Sequence, residues 1–169
     1  MGYSYQAQKY HVDHGNWVRV DRALFRLPDW PAEPTDSLVL WSLWSGGRGV
    51  VSHESALSVH DLSDANPAKI HLTVPPGFRA RDTHVRTYAD TIPQDDVEQR
   101  RGFAVTTVER TLLDVAGAGA SQELVDAAVD EAVRREATTA RRLRRRAVNA
   151  SDRAALGIER ALSRLAEGA

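Results

Sequence analysis

Two segments do most to constrain this chain. In residues 49–62, GVVSHESALSVHDL, a pair of valines gives way within one residue to Ser52 and the helical pattern HESALSVH. The strand AKIHLTVP follows, rich in residues that suit a pleated surface. About fifty residues beyond the first segment lies VTTVERTLLDVA. There Thr106 and Glu109 have the spacing of a capping box, which opens a helix through Val115. Short strands that run directly into capped helices predict a small sheet covered by helices.

Composition narrows the class. The 169 residues suffice for one compact domain, or for a domain with a small appendage. Cysteine is absent, so disulfides, zinc–thiolate sites and thiol nucleophiles are excluded. No apolar run approaches the roughly 20 residues that span a bilayer, and no signal-peptide core opens the chain. A cytoplasmic protein with no membrane partner is expected. The formal net charge is −1, so the total predicts no generic polyanion binder. Lysine occurs only at Lys9 and Lys69, which leaves the positive charge on arginine, the side chain suited to bidentate phosphate or carboxylate contacts.

Residues 3–14 read as a short polar helix ended by Gly15, followed by WVRV, a break at residues 21–23, and LFRL. A helix followed by such a hairpin is the second half of a winged helix-turn-helix. DWPAEPTD, with its prolines, reads as a linker. Thr35 or Asp36 then caps a helix whose bulk comes from Leu38, Leu40, Trp41 and Trp44. Asn66-Pro67 turns the chain into KIHLTV, residues 84–88 alternate as a further strand, and residues 103–105 form another. Ser121 caps a helix to Arg135 with Leu124, Ala127, Ala128, Ala132 and Val133 inward; another helix follows Thr139, and a last one runs from about Asp152 to Ala166.

The order and spacing of the two opening segments resemble the AbiEi family of antitoxins. The matching positions are Val51, Ser52, His53, Glu54, Ala56, Leu57, Ile70, Leu72, Thr73 and Val74, then Val105, Thr106, Thr107, Glu109, Arg110, Leu112, Leu113 and Asp114. The resemblance runs from about Tyr3 to about Arg135. It implies a transcriptional regulator paired with a nucleotidyltransferase toxin in abortive phage infection. In that family an N-terminal winged helix binds operator DNA, and the larger domain neutralises the toxin, typically without a tight complex. The family is not known for enzymes, and no cofactor is implied. Homodimerisation is left open.

Several polar clusters invite chemistry. Ser52, His53 and Glu54 are a serine, a base and an acid in succession, but neighbours at i, i+1 and i+2 on a helix do not face one another, so a triad is not expected. The alternative is that Ser52 is the N-cap, His53 packs or hydrogen-bonds nearby and Glu54 favours the helix dipole. His53, His60 and His71 lack metal-ligand spacing, so no metal site is predicted. Arg110 and Asp114, at i, i+4 and joined by Glu109, are read as a partly buried structural pair.

Two regions are candidates for DNA contact. One is the first helix and hairpin, with Ser4, Tyr5, Gln6, Gln8 and Lys9 as types that reach bases or phosphates, and with Arg19, Arg22 and Arg26 on the wing. The other is RRLRRRAV, where Arg141, Arg142 and Arg145 would hold a phosphate backbone; its competing reading is a solvated helix offset by Asp95, Asp96 and Glu98. This helix is expected to bury Leu143, Ala147 and Val148.

The expected architecture is α+β. A partial winged helix over residues 1–28 precedes an antitoxin-like domain over 35–169, helical from about residue 107. Two other classes compete: a nucleic-acid-processing protein, which would need clustered acids for metal ions, and an interaction module presenting Trp41 and Trp44, which burial of those rings would remove.

Overall fold

A computed structural model describes residues 3–21, 24–31, 33–64 and 67–167. Arg22 and Asn66 lie outside the described residues, as do the contacts expected of them. The chain opens with α1 (Tyr5–Asp13), whose cap residue Ser4 accepts a hydrogen bond from the Ala7 amide. Gly15, at φ 71°, takes the left-handed position that closes α1. The antiparallel hairpin β1 (Val18–Asp21) and β2 (Leu24–Arg26) follows. Trp17 joins helix to hairpin, stacking on His11 at 4.2 Å and meeting Phe25 at 5.2 Å.

α2 (Asp36–Trp44) leads into β3 (Val50–Val51) and α3 (His53–Val59). Next come β4 (Ile70–Val74), β5 (Val85–Ala89), a 3-10 turn over Gln94–Asp96, β6 (Val97–Arg100) and β7 (Phe103–Thr106). Four helices finish the chain: α4 (Val108–Ala118), α5 (Gln122–Arg134), α6 (Ala140–Ala147) and α7 (Asp152–Glu167). The architecture is α+β, as the sequence implied.

The larger sheet has the order β5-β4-β3-β7-β6 and is mixed: β4–β5 and β3–β7 are parallel, β3–β4 and β6–β7 antiparallel. Val51, Leu72, Val74, Val85, Phe103 and Val105 form its apolar core with Leu38 and Trp41 of α2. A second core is helical, built from Leu57 and Leu62 with Leu112, Val129, Leu143 and Ile158. α7 packs on both α4 and α5, and Gly157 permits this: a Cβ there would stand 3.2 Å from the Ala116 Cβ.

Several local expectations need correction. β6 carries no sequence signal beyond Val97; it is held by a two-residue loop, Arg101-Gly102, with Gly102 at φ 90°. Thr106 and Glu109 do not form a capping box. Thr107 occupies the cap position, Thr106 is the fully buried last residue of β7, and its hydroxyl pairs with that of Thr111 at 2.7 Å. α4 continues through Gly117 and stops only at Gly119. The buried stripe of α5 is Val125, Ala128, Val129 and Ala132, which leaves Ala127 at the surface, because the helix turns Val125 and Val129 inward. Val148 is exposed rather than buried.

Candidate functional site

The alternation of β4 and β5 sorts their side chains. Leu72 and Val74 enter the apolar core, so His71 and Thr73 take the opposite face. The parallel register aligns His71 with Arg86 and Thr73 with Tyr88, which extends this polar face across both strands. The face forms one wall of a cleft of about 810 Å³. The other walls come from α4 (Arg110, Asp114, Gly117), Asp90 beyond β5, α6 (Arg145, Arg146) and the start of α7 (Ser151, Ala154).

At the strand-to-helix junction the backbone is strained. His53 has φ 52°, a left-handed conformation that costs a non-glycine residue of order 1–2 kcal/mol. The turn brings its ring flat against Tyr88, centroids 3.5 Å apart. Ser52 sits at the cap position of α3, as the sequence implied, but its side chain makes no cap bond. Its hydroxyl instead accepts from Thr73 Oγ1 at 2.8 Å and donates to His53 Nδ1 at 2.9 Å. Burial, helped by His71, Arg110 and Arg86, pulls the His53 pKa from 6.5 down to about 3, so the ring is neutral and its Nδ1 free to accept. Ser52 is fully buried and has no route to a substrate. Glu54 lies on the following turn, half-buried and outside this chain of bonds. His60 lies apart, its Nε2 donating to the Thr106 carbonyl, while the His71 ring meets that of His53 edge-on with centroids 6.1 Å apart.

Arg110 is the hub of the α4 wall. It donates to Asp114 Oδ1 at 2.7 Å and to Asp90 Oδ2 at 2.6 Å. Asp114 is almost fully enclosed, and burial outweighs the Arg110 attraction, lifting its pKa to about 6. Its second oxygen, Oδ2, is buried without a hydrogen-bond partner among the described residues, as is His71 Nδ1. Glu109 does not share this site. It is buried on another side of α4, where it accepts from Thr138 Oγ1 and pairs with Arg142, each at 2.9 Å.

The arginines of α6 divide. Arg142 is held by Glu109, Arg144 makes two bonds to Glu159, and Arg146 pairs with Asp96. Of the acids expected to offset this helix, Asp96 does so, whereas Glu98 pairs with Arg100. Arg141 and Arg145 are exposed and make no ion pair among the described residues. In α1, Ser4 is committed to its cap and Gln8 to the Tyr3 carbonyl, while Tyr5, Gln6 and Lys9 point outward on a helix with no buried residue. Arg19 lies beside Lys9 and Tyr5 in the groove between helix and hairpin.

Sequence spacing brought Arg110 and Asp114 together but gave no sign of Asp90, Arg86 or Tyr88, and it named Asp96 only as an acid offsetting α6, without its partner Arg146. Arg86 and Tyr88 join the site through strand register, Asp90 through Arg110 twenty residues away, and Asp96 through a contact fifty residues apart in the chain. Trp41 is buried and Trp44 half-buried against the sheet core, which removes the reading of that helix as an exposed docking face. No helix among the described residues is long and apolar enough to cross a membrane.

Among solved structures, the chain resembles the RV2827C protein from Mycobacterium tuberculosis, with a TM-score of 0.65 at 16% identity, over 94% of this chain and 64% of that one. The chain thus spans less than two-thirds of that relative, and at this identity the likeness shows the fold alone. No curated protein matches it. The profile of the AbiEi antitoxin C-terminal domain matches residues 49–166, which take in the larger sheet, the cleft and the four final helices. That match covers most of the sequence, and the chain belongs to the AbiEi antitoxin family.

Proposed function

We propose that this protein is the antitoxin and autoregulator of a toxin–antitoxin operon, opposing a nucleotidyltransferase toxin in the cytoplasm. The observation that carries the antitoxin half is the family match over residues 49–166. The regulatory half rests on α1, a capped helix that buries none of its residues and turns Tyr5, Gln6 and Lys9 outward beside a hairpin bearing Arg19. Such a helix and wing suit a major groove and its flanking phosphates. Residues 1–28 are the DNA-reading part in this proposal, and residues 35–169 the antitoxin domain.

Arg141 and Arg145 add a second basic contact, aimed at phosphate rather than at bases. Arg142 is set apart from them because Glu109 already holds it. The cluster of Ser52, His53, Glu54, Glu109, Arg110 and Asp114 has a structural role, shaping the domain that meets the toxin's activity. Neutralisation proceeds without a tight toxin complex, as in the family.

The test is fluorescence anisotropy of the chain on labelled DNA from upstream of its own gene, against a scrambled duplex, at two salt concentrations. Preferential binding that weakens steeply with salt is expected, with Gln6→Ala and Lys9→Gln lowering it. Equal binding to both duplexes would sink the regulatory half.

A further inference from the structure

Apart from Arg145, which is also read above as a contact to DNA phosphate, the cleft has no task in toxin neutralisation or DNA reading, and it has the features of a small-molecule site. Its volume, about 810 Å³, falls in the range of ligand pockets. Four arginines line it against three aspartates, and His53 is neutral. Two of those arginines are already satisfied: Arg110 by Asp90 and Asp114, Arg146 by Asp96. The other two make no ion pair among the described residues. Arg86 lies over the Tyr88 ring at 5.2 Å, and Arg145 projects from α6 on another wall. Small residues (Gly117, Ala118, Ala150) keep the floor open, and the start of α7 adds the positive end of a sixteen-residue helix.

The second observation is independent of these charges. The Asp114 side chain is only 10% exposed, lines the cleft, and leaves Oδ2 without a partner. A buried acceptor left unsatisfied costs free energy that a ligand N–H or O–H recovers. The cleft therefore offers free guanidinium groups for an anion and, buried in its α4 wall, an unsatisfied acceptor for a donor. Those are the two complementary halves of a nucleotide.

We propose that this cleft binds a phosphorylated small molecule of mononucleotide size, its phosphate on Arg86 and Arg145 and an N–H or O–H of its ribose or base on Asp114 Oδ2. Arginine suits the phosphate because its planar fork matches two oxygens at once.

Titration calorimetry of the full chain with AMP, GMP, CMP, UMP and inorganic phosphate tests the proposal. At least one nucleotide should bind saturably and more tightly than phosphate alone. Arg86→Gln, on an exposed side chain with no ion pair, should weaken it about tenfold or more. Asp114→Asn should weaken the nucleotide and leave phosphate unchanged, with circular dichroism reporting its fold. Arg141→Gln, outside the cleft, should bind the nucleotide as the parent does, so a loss of DNA binding in that variant is separable from the cleft. Absence of saturable binding for all four nucleotides, equal affinity for phosphate and nucleotide, or unchanged affinity in Arg86→Gln would overturn it.

Discussion

His53→Asn should change the shape of the pH–stability curve, in a direction fixed by two displaced protonation equilibria. In the folded protein His53 titrates near 3 instead of 6.5, and Asp114 near 6 instead of 3.8. Below pH 6.5 the unfolded chain takes up a proton on His53 that the folded protein refuses, so this site removes about 1.4 kcal/mol of stability per pH unit as pH falls toward 3. Asp114 acts in the opposite sense. Between about pH 6 and pH 4 the folded protein binds a proton there that the unfolded chain does not, which adds stability at the same rate as pH falls. Over that window the two slopes cancel. Asparagine tolerates the left-handed backbone that His53 occupies, offers Ser52 an acceptor and does not titrate. Loss of the Tyr88 stack shifts the whole curve by a constant amount. The stability of His53→Asn minus that of the parent should therefore rise by about 3 kcal/mol between pH 6.5 and pH 4. Urea unfolding at half-unit pH steps measures it. Parallel curves for the two proteins would show that His53 is not held neutral, and the reasoning about the junction would fail.

Three further outcomes follow from packing and charge. Glu109→Ala should destabilise by about 2 kcal/mol, because it strips a buried hydroxyl and Arg142 of their shared acceptor, while Arg142→Gln, more than half exposed, should cost about 0.5 kcal/mol; urea midpoints separate the two. Gly102→Ala should cost about 2–3 kcal/mol and lower Tm by several degrees, since the residue stands at φ 90° and its Cβ would lie 2.9 Å from Val39 Cγ2. Arg141→Gln with Arg145→Gln should leave Tm unchanged and flatten the log–log salt dependence of DNA binding by about 2, roughly 0.9 for each phosphate that is no longer neutralised.

What could be read from the sequence was local. Ser121 and Thr139 cap α5 and α6 as their spacing with later amides requires, and the i, i+4 interval alone joined Arg110 to Asp114. β4 was legible from its β-branched run. β6 was not, because VEQR has one apolar residue and owes its strand form to pairing with Phe103–Thr106. The supposed capping box failed for a tertiary reason: Glu109 is drawn to Thr138 and Arg142, and Thr106 is consumed by β7 and Thr111. The cleft was invisible because its walls meet only through sheet register and helix packing. Nothing in the spacing of Asp90 and Arg110, or of Asp96 and Arg146, announces that they touch.

The antitoxin role is tested most directly in cells. Co-expression of the full chain with the nucleotidyltransferase toxin of its own operon should restore growth that the toxin alone abolishes, and no stable complex should co-purify. Unrelieved growth arrest, with the chain present in its folded form, would contradict it.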